Sequence, residues 1–205
     1  MITNTTIAAG AATLLLAMAL LAQPALAQGD ANAGMELGYT CLGCHGIEGY
    51  RNAYPSYRVP KLGGQKAGYL VIALKAYRSG ERSHPTMQAQ ATSLTDREIE
   101  DVAAYLASLG GETLAAAANA KAPSFAPAAA CVACHGQIGI SVNAQWPTLA
   151  GQYESYLERS LWQYRDGSRA NAIMAAQAAI IADEDIPRLA RYYAGLDGLE
   201  TTKVD

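Results

Sequence analysis

Cys41-Leu42-Gly43-Cys44-His45-Gly46 and Cys131-Val132-Ala133-Cys134-His135-Gly136 carry one pattern twice, 90 residues apart. A Cys-x-x-Cys pair alone admits several chemistries. A redox disulfide of the thioredoxin type sits between a strand and a helix, a context missing around both stretches. A zinc site shared by the two pairs fits poorly, because each pair has its own adjoining His. Disulfides within each pair would close very short loops and stabilise little. The immediate His changes the reading. Two thiols one helical turn apart can form thioethers with the vinyl groups of a haem, and the next residue then lies under the ring as an iron ligand. Cys41, Cys44, Cys131 and Cys134 are therefore read as covalent attachment points, His45 and His135 as axial ligands, and the cofactors as two covalently bound haem c groups.

Outward from these motifs the repetition continues. Pro60-Lys61-Leu62-Gly63-Gly64-Gln65 returns as Pro147-Thr148-Leu149-Ala150-Gly151-Gln152, 87 residues on. The offset then holds: Tyr69 with Tyr156, Leu74 with Leu161, Tyr77-Arg78 with Tyr164-Arg165, Gly80 with Gly167, Arg82 with Arg169, Met87 with Met174, Ile99 with Ile186 and Tyr105 with Tyr192. The second copy is three residues shorter between its His and its Pro. A constant offset over so many identities means two homologous units. Gly110-Gly111, an Ala-rich run, Pro123 and Pro127 separate them and read as an ordered linker with some helix around Leu114 to Ala118. The division expected is 1–27 leader, 28–110 first unit, 111–126 linker and 127–205 second unit.

Each unit reads as helical. A short helix over Asn32 to Thr40 leads into the first Cys. Tyr69, Leu70, Ala73, Leu74 and Tyr77 share one helical face. Thr95-Asp96-Arg97-Glu98 is a capping box before the 3.6-period run Ile99, Val102, Ala103, Leu106 and Leu109, where the second copy has Asp183-Glu184-Asp185 and Pro187. Pro127, four residues before Cys131, shortens the helix entering the second motif. No strand alternation appears, so the fold class expected is all-α. Units this small usually need a staple, and the chain has one Phe; a porphyrin would supply the missing apolar volume.

Composition excludes other classes. Of 205 residues, 51% are hydrophobic and 16% charged, which is not a disordered composition. The net charge of −3 provides no basic field for nucleic acid. The asymmetry lies in the second unit: residues 30–110 carry 8 basic and 8 acidic side chains, residues 123–205 carry 6 and 9. No charge precedes Asp30. An apolar run from Ile7 to Ala22 ends at Gln23-Pro24, and Ala25-Leu26-Ala27 has the small-x-small form of a cleavage site. The reading is an exported protein beginning at Gln28. The alternative is a retained anchor, which would have to continue where Gln23 and Pro24 interrupt.

The sixth iron ligand should occur in both units. Met87 and Met174 meet that test; His84, the spare His, does not, since its repeat partner is Asn171. Met35 has no counterpart and is expected to pack within the first helix. His with Met raises the potential relative to two His and closes the iron to small ligands. Arg78, Arg82, Arg165 and Arg169 repeat as pairs four apart and are candidates for haem propionates, the competing reading being a solvated helix end.

These stretches together resemble the dihaem cytochrome c4 family, over nearly all of residues 30–196. The resemblance implies two tandem class I cytochrome c domains about a pseudo-twofold axis, with propionate edges near each other. It implies a periplasmic electron carrier, often membrane-associated, between a respiratory donor and a terminal oxidase. Many members carry Gln before the Leu of the middle helix; Ala73 and Ser160 stand there here. Two other readings remain open: the electron-accepting subunit of a periplasmic dehydrogenase acting on sulfur compounds, and a dihaem peroxidase with one open iron.

Overall fold

The computed structural model describes residues 29–117 and 120–202. The expected leader at 1–27 lies outside the described residues. Within them the chain is helical: α1 (Ala31–His45), α2 (Ala67–Ser79), α3 (Pro85–Thr92), α4 (Asp96–Ser108), α5 (Glu112–Ala117), a 3₁₀ turn (Ala126–Ala128), α6 (Ala129–His135), α7 (Glu154–Asp166), α8 (Ala172–Ala179) and α9 (Asp185–Ala194). No strand forms among the described residues; three isolated bridges are the β-type pairings.

The first helix does not stop at Thr40 as expected. Asp30 caps it, accepting from the N–H groups of Asn32 and Ala33, and it runs through the motif to His45. Leu42 turns inward and packs with Leu70, Val102, Ala103 and Leu106, which offsets the roughly 1 kcal/mol that Gly43 costs a helix. The buried stripe of α1 is Gly34, Gly38, Leu42 and His45. Met35 lies off that stripe and is 54% exposed, so it does not pack as the sequence suggested. Gly34 and Gly38 let α1 cross α4 closely: a Cβ on Gly34 would sit 2.0 Å from the carbonyl oxygen of Asp101, and one on Gly38 2.6 Å from the Tyr105 ring.

In the second half Pro127 falls inside the 3₁₀ turn, where a missing N–H costs nothing, and α6 is accordingly only seven residues long. Ala128, Leu157, Leu189, Ala190 and Tyr193 form the second core. Both middle helices end at a left-handed glycine, Gly80 (φ 84°) and Gly167 (φ 79°), the conformation that removes a helix C-terminus from its axis. The capping box at Thr95 and Glu98 is formed; α9 begins at Asp185 after Glu184 without a side-chain cap. The linker helix starts directly after Gly110-Gly111, two residues earlier than expected. Gly110 also meets Gly64, whose Cα a Cβ would approach to 2.4 Å. The single Phe, Phe125, stacks on Tyr192 at 5.1 Å and fastens the linker to the second half.

The halves meet about a pseudo-twofold axis, visible as paired contacts at repeat-equivalent residues. The buried Gln65 amide donates to the Thr148 carbonyl (3.0 Å) and accepts from the Thr148 N–H (2.9 Å). Gln152 does the same to Lys61, with both contacts at 2.9 Å. Each amide oxygen also accepts from its own following N–H, at Lys66 and Tyr153. Further along, the Ser83 N–H donates to the Ser168 carbonyl (3.2 Å) and the Ala170 N–H to that of Glu81 (2.7 Å), so the axis passes between Arg82 and Arg169.

Replacing Gln65 or Gln152 by Ala leaves buried backbone groups unpaired. Each should cost about 1–3 kcal/mol. The expected result is a lower thermal midpoint of the holoprotein and faster proteolytic cleavage in the 111–126 linker. Unchanged melting in both variants would contradict this account of the interface.

Candidate functional site

In each half the motif occupies the end of a helix, which places its two Cys one turn apart and its His at the last helical position. All four Cys are free thiols. Burial pushes the Cys41 and Cys131 thiols above their ordinary pKa. His45 and His135 are 8% and 6% exposed. The Nδ1 atom of His45 lies 2.7 Å from the Pro60 carbonyl oxygen, and that of His135 lies 3.0 Å from that of Pro147. A carbonyl can only accept, so Nδ1 is the N–H donor and Nε2 keeps its lone pair. Burial also keeps both rings neutral, lowering the pKa of His45 to about 4, with Arg82 and His84 adding to the effect. Both prolines appeared in the sequence only as markers of the repeat; their carbonyls become orienting groups once the chain folds back.

Met87 and Met174 are each the third residue of a helix, α3 and α8, and both are half-buried. The residues capping these helices are His84 and Asn171. The His84 Nδ1 accepts from the Met87 N–H (3.2 Å), and the Asn171 side-chain Oδ1 accepts from the Met174 N–H (2.9 Å). His84 Nε2 faces the Asn52 side-chain oxygen at 3.3 Å, which is consistent with Nδ1 being the acceptor. The unmatched His of the sequence is thus the counterpart of an Asn in the same structural task.

The four arginines divide into two kinds. Arg78 bonds the Leu94 carbonyl (3.2 Å) and pairs with Asp96. Arg165 bonds the carbonyls of Ala178 (2.9 Å) and Ile181 and pairs with Asp183 at 2.6 Å. These two latch the end of the Met-bearing helix to the middle helix of the same half. Arg82 and Arg169 lie across the seam instead. Arg82 donates to the Tyr156 hydroxyl and Arg169 to the Tyr69 hydroxyl at 2.6 Å, and each guanidinium lies 4.4 Å from the ring centre of its own half's Tyr77 or Tyr164.

Arg82 and Arg169 are 7% and 5% exposed, and neither has a carboxylate partner among the described residues. Burying a cation without an anion is costly. Burial alone would raise the pKa of Tyr156, yet the two arginines beside it lower it to about 8. The positive charge at the seam therefore outweighs burial at Tyr156, whereas burial prevails at Tyr77 and Tyr164 and raises them. A pair of carboxylates belonging to a bound group would fit there, and haem propionates are such groups. Free paired thiols, a neutral oriented imidazole and this cationic seam all suit a haem in each half.

Two helical halves, each ending a helix in Cys-x-x-Cys-His and facing each other across a seam, define a tandem c-type haem protein. The cytochrome c family matches residues 31–110 and again 120–196. The thiosulfate dehydrogenase electron acceptor of Stutzerimonas stutzeri is 35% identical, covering 94% of this chain and 95% of that one. Cytochrome c4 of Pseudomonas aeruginosa is 33% identical over 83% and 90% of the two chains. The crystal structure of reduced recombinant cytochrome c4 from Pseudomonas stutzeri superposes with a TM-score of 0.63 at 29% identity, covering 82% of this chain and 99% of the other. The chain belongs to the cytochrome c family, in its dihaem cytochrome c4 group. It carries two covalently bound haem c groups and is an electron carrier.

The equivalence of His84 and Asn171 is testable. His84→Asn should preserve the cap and leave thermal stability near that of the parent. His84→Ala should cost about 1 kcal/mol through the lost cap. Equal melting curves for the two variants would remove the capping role.

Proposed function

We propose that the protein is a periplasmic shuttle, built from units at 28–110 and 127–205, that passes electrons from a respiratory donor toward a terminal oxidase. Cys41 and Cys44 hold one haem, Cys131 and Cys134 the other. His45 with Met87, and His135 with Met174, are the axial pairs. The observation carrying this reading is the duplication of the whole arrangement: an oriented imidazole and a capped Met-bearing helix recur at matched positions in both halves. When bound, each haem would supply a one-electron redox centre. The chain's own residues do the rest. Pro60 and Pro147 aim the imidazoles, the capped helices present the Met side chains, and Arg82 and Arg169 receive the propionates at the seam. Arg78 and Arg165 keep the Met-bearing helices in place. With His45 and Met87 holding one haem iron, and His135 and Met174 the other, neither would bind peroxide readily, which would distinguish the protein from a dihaem peroxidase.

A second reading concerns the donor. The similarity to a thiosulfate dehydrogenase electron acceptor over 94% of this chain supports a role beside a dehydrogenase that oxidises a sulfur compound. Copurification of such a catalytic subunit favours it; efficient reduction by a membrane respiratory donor favours the first. Export rests on the leader sequence. Among the described residues no helix is long and apolar enough to cross a membrane, so any membrane association of this part of the chain would be peripheral.

The test combines mass and redox titration. The purified protein should have the mass of residues 28–205 plus two haems, and both haems should show the Met-sulfur-to-iron charge-transfer band. Met87→Ala and Met174→Ala should each convert one haem, and only one, to an open high-spin form. A protein with one haem, or a band unaffected by both substitutions, would overturn the assignment.

A further inference from the structure

The contacts of the two seam arginines obey the pseudo-twofold relation closely, with one break. Arg82 donates to Tyr156 and lies on Tyr77; Arg169 donates to Tyr69 and lies on Tyr164. Arg169 makes one bond more: its Nη1 donates to the hydroxyl of Ser160 at 2.8 Å, a contact between two buried groups. The repeat position of Ser160 is Ala73, which is buried and offers no acceptor. The two guanidiniums are otherwise matched in burial and in aromatic partner.

We propose that Ser160 makes the two haem sites unequal by holding one N–H of Arg169 that its counterpart, Arg82, keeps free. The inference rests on the reading that these arginines receive the propionates. A guanidinium has five N–H donors in a fixed fork, so an N–H committed to a hydroxyl is unavailable to a carboxylate. A carboxylate with fewer charge-assisted hydrogen bonds keeps more of its negative charge. Negative charge near an iron favours the ferric state, because that state carries the extra positive charge. The site served by Arg169 is thereby held at a lower potential than an Ala at 160 would give. Ser160 acts through Arg169 and is a positioning residue. Tyr57, Tyr69, Tyr77, Tyr164 and Arg159 also face the seam and are present in every variant below; Tyr156, which the Ser160 hydroxyl also contacts, is titrated separately in Ser160→Ala so that its change is read apart from that of Arg169.

The symmetry supplies the control. Ser160→Ala removes the inequality by deletion and Ala73→Ser removes it by addition. In the loaded full-length protein, spectroelectrochemical titration should show the separation between the two potentials moving in the same direction, by similar amounts, in both variants. The swap carrying both substitutions should move it about twice as far. Separations unchanged in Ser160→Ala, or moving in opposite directions in the two single variants, would overturn the proposal. Should Ala73→Ser fail to fold, Ser160→Ala alone still decides it. Two haems and two sulfur bands with no change in separation would sink the role of Ser160 and leave the carrier reading intact. Loss of a haem or of a sulfur band in the parent protein would sink both.

Discussion

Two guanidiniums buried side by side, with phenols for company and no carboxylate among the described residues, set the terms for this molecule. Like charges in a low-dielectric seam repel and are poorly solvated, so an anion placed there would stabilise the arrangement. Each arginine reaches the tyrosine of the opposite half. The demand for an anion is therefore also a demand that the halves stay together. The paired amide clamps of Gln65 and Gln152 then fix how the two surfaces register. A polar seam satisfied in pairs gives orientation where a greasy one would give only adhesion.

Duplication followed by divergence is readable residue by residue. Gly38 in α1 and Ala128 in the 3₁₀ turn before α6 are both small and buried where each packs against the last helix of its half. His84 and Asn171 cap the Met-bearing helices with different side chains presenting the same acceptor. Pro127 converts the long entry of α1 into a 3₁₀ turn and the short α6, while the His it leads to keeps the same carbonyl partner as His45. The geometry around the iron-binding side is conserved between the halves more strictly than the means of reaching it. Ala73 and Ser160 differ at the seam, where the Ser160 hydroxyl accepts from Arg169 and Ala73 offers nothing to Arg82.

Much of the candidate site was legible in the chain because its proposed ligands come in short fixed spacings or at one constant offset. Cys-x-x-Cys-His is local, needing only one helical turn to bring its parts together, and the 87-residue offset singled out Met87 and Met174. The continuous α1 and the exposed Met35 were misjudged for a local reason: which face of a helix is buried depends on the helix it crosses, and Gly34 and Gly38 show that crossing only once α4 is in place. Gln65 and Gln152 stood in plain view as repeated residues, yet nothing nearby indicated that each would bond the backbone of the other half.

The amino-acid sequence alone determined the two haem motifs, the tandem helical plan and the matched methionines, because each of these is a pattern along one segment or between two copies of it. Only the tertiary structure decided that Pro60 and Pro147 orient the imidazoles, that His84 is a cap, and that Arg82 and Arg169 lie buried at a shared seam while Arg78 and Arg165 do not. In the sequence the four arginines are two identical pairs. A side chain's partners and its burial are set by groups as far as 104 residues away, and no spacing within a segment encodes them.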